Sequence, residues 1–304
     1  MTKLRVGVIG LGRPWRKRYR AALRAMSHRF SVRAVYDAVQ QYALREARRL
    51  GCRAAVGIID LLERRDIDGV LFVDTAWHGL WPLEAASRFG KAVFSAVPLE
   101  ADRDHAAVAC QKAADAQLPV MPALSYRLAP ASVRLQQLLR DQLGAARLLL
   151  CEHRGSKPGH ISVSLLDLCA FLMDATVAHV RATAVEGASS IEEVWMDFGQ
   201  GRAARVSRWA GSHVRPSVRV RIIAERGSAV VDLPRRLRWC DASGQHGYTA
   251  ADSQPRAEMM LERFHQAVLS GQPMQPSLED VRRAWGWLLA ARSPATSPAK
   301  NASA

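Results

Sequence analysis

The stretch Leu4-Arg5-Val6-Gly7-Val8-Ile9-Gly10-Leu11-Gly12-Arg13-Pro14-Trp15 decides the fold of this 304-residue chain. A largely apolar β-forming run enters a glycine turn, and Pro14 stands where a helix opens, a position at which its missing N–H costs nothing. Strand, glycine turn and helix in that order make the first half of a dinucleotide-binding βαβ unit, whose backbone N–H groups meet a pyrophosphate. The fingerprint G-x-G-x-x-G/A asks for a small third residue, so that helix and strand pack closely. Trp15 stands there instead. An indole at that point either pushes the helix outward, lies across the pyrophosphate, or points into solvent. A loop of slightly altered geometry would still take NAD, and that is the reading adopted.

Outward from this stretch, Pro14–Ala25 has helical spacing, with Tyr19, Leu23 and Met26 inward and Arg16, Lys17 and Arg20 outward. Arg13 and Arg16 fall near the expected pyrophosphate. The run 30–37 is a second strand ending in Asp37, where an acid binds ribose hydroxyls and repels a 2′-phosphate, which favours NAD over NADP. Helix 40–50, a short helix at 60–65 and strand 68–73 follow. Helix 81–89, strand 91–95, helix 102–116 and strand 118–124 complete the run. Strands alternating with helices specify a doubly wound parallel sheet, a Rossmann domain over residues 1–122.

The texture then changes. Helix 130–142, strand 146–153 and an apolar helix at 165–175 precede short strands at 194–198, 202–209, 217–224, 228–233 and 237–240. Consecutive strands with tight turns predict an open, mainly antiparallel sheet, so residues 123–292 form an α+β unit behind the α/β one. Helices at 256–270 and 278–291 close it, the second N-capped by Ser277. The tail 293–304 lacks core-forming residues and is expected to be disordered.

Composition narrows the class. No apolar run reaches the roughly 18–20 residues that span a bilayer, so no membrane role is expected. Met1-Thr2-Lys3 runs straight into a strand, without a leader or a small-residue cleavage site. The five cysteines are scattered and odd in number, which suits reduced thiols in the cytoplasm and implies neither a disulfide frame nor a metal site. The net charge of +15 raises a nucleic-acid partner. Only six of the 43 basic residues are lysines, however, and they are spread along the chain without a nucleic-acid motif. An arginine- and alanine-rich bias of that kind follows from a GC-rich genome, and nucleic acid is set aside.

The order of these elements, with Asp66-Ile67-Asp68-Gly69-Val70, Phe89-Gly90-Lys91-Ala92-Val93 and Leu165-Leu166-Asp167 followed by Asp174, resembles the glucose-fructose oxidoreductase/inositol dehydrogenase family. The resemblance covers nearly the whole chain. It implies NAD(P)-dependent hydride transfer at an alcohol or carbonyl carbon of a sugar, a cyclitol or a similar small molecule. It implies a homo-oligomer built on the C-terminal sheet. Cofactor contacts are expected at Gly10, Gly12, Arg13, Pro14, Trp15, Asp37, Asp74, Thr75, His78, Ala96, Val97 and Pro98. Substrate contacts are expected at Tyr126, Arg127, Phe171 and Asp174.

The chain departs from the family where chemistry is done. The family's Glu-Lys-Pro, whose lysine contacts the substrate hydroxyl, reads Ala96-Val97-Pro98 here. The family's Asp-x-Gly-x-His-x-x-Asp helix carries an acid/base histidine four residues after its first aspartate; here Asp167 is followed by Phe171. General acid–base catalysis contributes about 10²–10⁴-fold, so losing both groups leaves two readings open. One is an NAD-dependent oxidoreductase with a rearranged set, drawing on Asp167 and on Lys157 or His160 of the preceding loop. The other is a catalytically silent protein that binds a dinucleotide or small ligand and serves a regulatory or accessory role.

Overall fold

The computed structural model describes residues 2–74, 78–98, 103–156, 160–184, 191–211, 213–250 and 256–292. Thr75, Lys157 and the tail 293–304, all singled out above, lie outside them.

Strands β1 (Leu4–Ile9), β2 (Phe30–Tyr36), β3 (Arg53–Ala54), β4 (Gly69–Phe72), β5 (Ala92–Ser95) and β6 (Val120–Pro122) form one sheet in the order β3-β2-β1-β4-β5-β6. Every pairing in it is parallel. The chain reverses direction across the sheet between β1 and β4, and ligands of such folds bind in the crevice beyond the strand ends at that switch. Helices α1 (Arg20–Ala25) and α2 (Gln40–Leu50) cover one face; α3 (Ile58–Leu62), α4 (Trp81–Ala86) and α5 (Arg103–Asp115) cover the other. Burial on both sides explains why β1, β4 and β5 are near-continuous apolar runs. Gly51, left-handed at φ 65°, stops α2 as expected.

Helix α6 (Pro130–Leu138) continues as a π-helical turn at Leu139–Leu143, and leads through Gly144 into β7 (Ala146–Gly155). After α7 (Val163–Met173) come β8 (His179–Ala184), β9 (Ile191–Asp197), β10 (Ala203–Ala210), β11 (Ser217–Ala224), β12 (Gly227–Asp232), β13 (Arg236–Asp241) and β14 (Gly244–Thr249). They pair in the order β14-β13-β12-β11-β7-β10-β9-β8, antiparallel throughout except for β10 on β7. Burial alternates along β11, with Val218, Val220 and Ile222 turned to the helices. Sequence reading misses β3, β8 and β14. The last is Gly-Gln-His-Gly-Tyr-Thr, an edge strand whose existence depends on the partner it pairs with.

Two helices close the fold. α8 (Arg256–Ser270) leaves the second half and packs Met260, Leu261 and Phe264 onto the face of the first sheet that holds Val6, Val8, Leu71 and Phe94. α9 (Leu278–Arg292) packs on α7 and β8. Its start is a capping box: the Asp280 N–H donates to Ser277 Oγ at 3.3 Å, and the Ser277 N–H donates to the Asp280 carboxylate at 2.8 Å. Among the described residues no helix is long and apolar enough to cross a membrane.

Candidate cofactor and substrate clefts

Gly10 sits at φ 88°, in the left-handed region that favours glycine. Space forbids a side chain there as well, since a Cβ would come within 2.7 Å of the Asp74 backbone nitrogen. The Asp37 carboxylate, only 8% exposed, accepts the N–H of Leu11 at 2.8 Å and of Val39 at 2.9 Å. It thereby ties the end of β2 to the glycine turn. An ionised carboxylate has about four acceptor sites, so two backbone bonds leave room for ribose hydroxyls. A cavity of about 110 Å³ opens here, lined among others by Gly10, Gly12, Arg16, Tyr36, Asp37, Asp74 and His78. The Tyr36 hydroxyl and His78 Nε2, 3.1 Å apart, join its two sides. Arg13 and Pro14 do not line it.

Trp15 is withdrawn from this cleft. Its side chain is fully buried among Leu4, Val6, Tyr19 and Phe94, neither across the pyrophosphate corner nor in solvent. The local backbone makes this arrangement. Trp15–Tyr19 is a π-helical turn in which the Arg20 N–H reaches back to the Trp15 carbonyl, a wider turn than the α-helix provides. The indole Nε1 is buried without a partner. The expected contact between this side chain and a cofactor is corrected accordingly, because the residue serves the core.

The substrate side is built differently. A cavity of about 180 Å³ is lined by Ser95, Ala96, Val97, Pro98, Ala123, Leu124, Val163, Ser164, Leu278, Val281 and two further apolar side chains and a proline, and no ionisable side chain reaches it among the described residues. Beside it the ionisable groups are locked together. Arg127 Nε donates to Asp167 at 2.8 Å, Nη2 donates to the other oxygen of the same carboxylate, and Nη1 donates to Asp280 at 3.1 Å. The Arg127 side chain is 11% exposed and that of Asp167 2%. Phe171 stacks on the guanidinium, 5.3 Å from ring centre to Cζ. Burial pushes the Asp167 carboxyl up to about 6, against the pull of Arg127. Burial also acts to raise Asp280, but the Ser277 N–H, Arg127 and Arg283 together hold it below its ordinary value.

The fold thus gathers Arg127, Phe171 and Asp167 into one cluster. It leaves Asp174 aside: that residue caps α7 in a left-handed conformation (φ 48°), 70% exposed and 3.7 Å from Arg140. His160 is 68% exposed, with Nδ1 3.7 Å from a Glu192 carboxylate that accepts the Ile161 N–H. Tyr126 packs partly buried against the core. Asp280 and Tyr36 were not foreseen as site residues. The spacing Ser277-x-x-Asp280 was the available signal for the first, whereas Tyr36 carried none beyond its place before Asp37.

No family model matches the chain. The chain is 26% identical to inositol 2-dehydrogenase 1 of Mycolicibacterium vanbaalenii over 288 residues, covering 88% of this chain and 82% of that protein. UDP-N-acetylglucosamine 3-dehydrogenase from Acidithiobacillus ferrooxidans superposes with a TM-score of 0.79 at 25% identity, over 96% of this chain and 97% of the other. An NAD binding oxidoreductase from Klebsiella pneumoniae shares the fold at a TM-score of 0.83 and 16% identity, over 94% and 96% of the two chains. Two sheets in this arrangement, with the glycine turn and acid of the first, define a two-domain dinucleotide-binding oxidoreductase fold. These relatives and this fold agree with the resemblance to the glucose-fructose oxidoreductase/inositol dehydrogenase family.

Proposed function

We propose that the protein is an NAD-dependent oxidoreductase acting at an alcohol or carbonyl carbon of a sugar- or cyclitol-like small molecule, with an acid/base set unlike that of its relatives. The observation that carries the cofactor assignment is the Asp37 carboxylate, buried against the glycine turn and bonded to Leu11 and Val39. The residues present suit a dinucleotide: Gly10 and Gly12 let the turn pass close to the end of β4 beside the cavity, and Asp37 accepts ribose hydroxyls while repelling a 2′-phosphate. When bound, the nicotinamide supplies hydride acceptance or donation.

The chain's own residues must handle the rest. Val97 walls the second cavity and carries no proton, and Phe171 spends its ring on Arg127. The proton is therefore assigned to Lys157 or His160, ionisable groups of the loop before α7. Arg127 and Asp167 act by positioning, because both are paired and buried. The open face of the second sheet carries Trp195 between Arg181 and Arg205, and Trp209 beside Arg154. This face is the proposed contact between copies of the chain, which light scattering of the purified protein would test. Scattered free cysteines fit a reducing, cytoplasmic setting.

Titration with NADH and NADPH tests the reading. NADH is expected to bind more tightly, Asp37→Arg to reverse the order, and turnover to emerge from a panel of polyols, sugars and nucleotide sugars. Failure of both dinucleotides to bind would overturn it. Binding without turnover on any compound would support a silent, ligand-binding role. Unchanged turnover in both Lys157→Ala and His160→Ala would remove the proton assignment.

A further inference from the structure

The second glycine of the turn exists so that backbone can approach a pyrophosphate, yet at Gly12 that space is taken. A Cβ built on Gly12 would fall onto the Asp74 carboxylate, with no other group as near. The backbone fixes this placement. The Val73 N–H donates to the Ile9 carbonyl at 2.9 Å, extending the pairing of β1 with β4 past the strand ends and bringing Asp74 up against the glycine turn. The same cavity is lined by two carboxylates, Asp37 and Asp74, against one guanidinium, Arg16. Asp37 has a task toward ribose. Asp74 sets a second carboxylate against the glycine turn.

We propose that Asp74 is an affinity-setting residue: an internal carboxylate held over Gly12 that competes with the pyrophosphate of the dinucleotide, so that the cofactor binds weakly and exchanges. The proposal rests on the dinucleotide reading above. Like charges a few ångströms apart in a partly exposed cleft repel, and the repulsion weakens as salt screens it. A pyrophosphate entering this corner must displace the carboxylate or endure it.

Calorimetric titration of the full chain and of Asp74→Asn tests this with three probes: NADH, inorganic pyrophosphate and adenosine. Asn keeps the shape and removes the charge. It is expected to tighten NADH and pyrophosphate about tenfold at low salt, with a smaller gain at 0.5 M salt as screening shortens to about 4 Å, and to leave adenosine unchanged. Asp74→Ser, checked for an unaltered melting curve, repeats the measurement if Asn perturbs folding. Equal or weaker binding of NADH by a folded variant overturns the inference alone, since a carboxylate that helps the cofactor would show a loss. Binding of NADH by neither wild type nor variant overturns the dinucleotide reading and this inference with it. Equal tightening of adenosine also overturns it, because the effect would then be steric.

Discussion

In the cofactor cleft, polar side chains face a cavity; in the substrate cleft, they face one another. Asp37 and Asp74 line open space, and Tyr36 meets His78 across it. Beside the apolar cavity, Arg127 is held by Asp167 and Asp280 and roofed by Phe171, while Val97 and Pro98 form the wall. Among the described residues, only the first keeps ionisable side chains lining its cavity. A buried ion cluster that satisfies itself specifies structure at a cost in desolvation, and it can do no proton chemistry without breaking its own bonds. The difference separates two properties that usually travel together, recognition of a cofactor and catalysis with it.

Trp15→Gly restores the family-like residue but empties a fully buried site in a core that has adapted to the indole. It should cost about 4–5 kcal/mol, the upper range for large-to-small core changes, read from denaturant midpoints. If stability were unchanged, Trp15 would not be the core residue its burial makes it. Arg127→Met leaves Asp167 buried and unpaired and should cost about 3 kcal/mol, whereas Arg127→Met with Asp167→Leu should recover most of that loss in the same assay.

A pH series sharpens the picture of the clamp. Asp167 holds its proton more tightly in the fold, near 6, than at its ordinary value of 3.8. Between those values the native state carries more bound protons than the unfolded state, so the contribution of this group to stability falls as pH rises. The stability of wild type relative to Asp167→Asn is therefore expected to decline from pH 4 to pH 7. A rise across that window would mean that attraction to Arg127 outweighs burial. The smallest effect is at the α9 cap: Ser277→Ala should cost about 1 kcal/mol in thermal or denaturant unfolding, and should loosen the hold on Asp280 as well.

Much of the fold was legible because local signals and tertiary demands agreed. Helix Gln40–Leu50 with its Gly51 stop, strand Ser217–Ala224 and helix Arg256–Ser270 stand where periodicity and capping residues put them. That Val97 and Phe171 carry no proton was legible too, because it needs only the residues at those positions. The clamp beside them was not. Arg127, Asp167 and Asp280 come from a loop and two helices, and nothing along the chain announces that they meet. The π-helical turn that turns Trp15 inward is likewise a tertiary result, since five residues of sequence do not distinguish it from an α-helical turn. β14 has too few strand-forming residues to be read without β13 beside it.

The return of α8 to the first sheet bears on how the protein can be made and divided. Its Met260, Leu261 and Phe264 seal a face that includes Val6, Val8 and Phe94, laid down roughly 170 to 250 residues earlier. During synthesis that face stays uncovered until the last third of the chain has left the ribosome. A fragment cut after the sixth strand would carry an open apolar surface, and the nucleotide-binding half would not survive as an independent module. The two halves are joined by a borrowed lid, and they mature together.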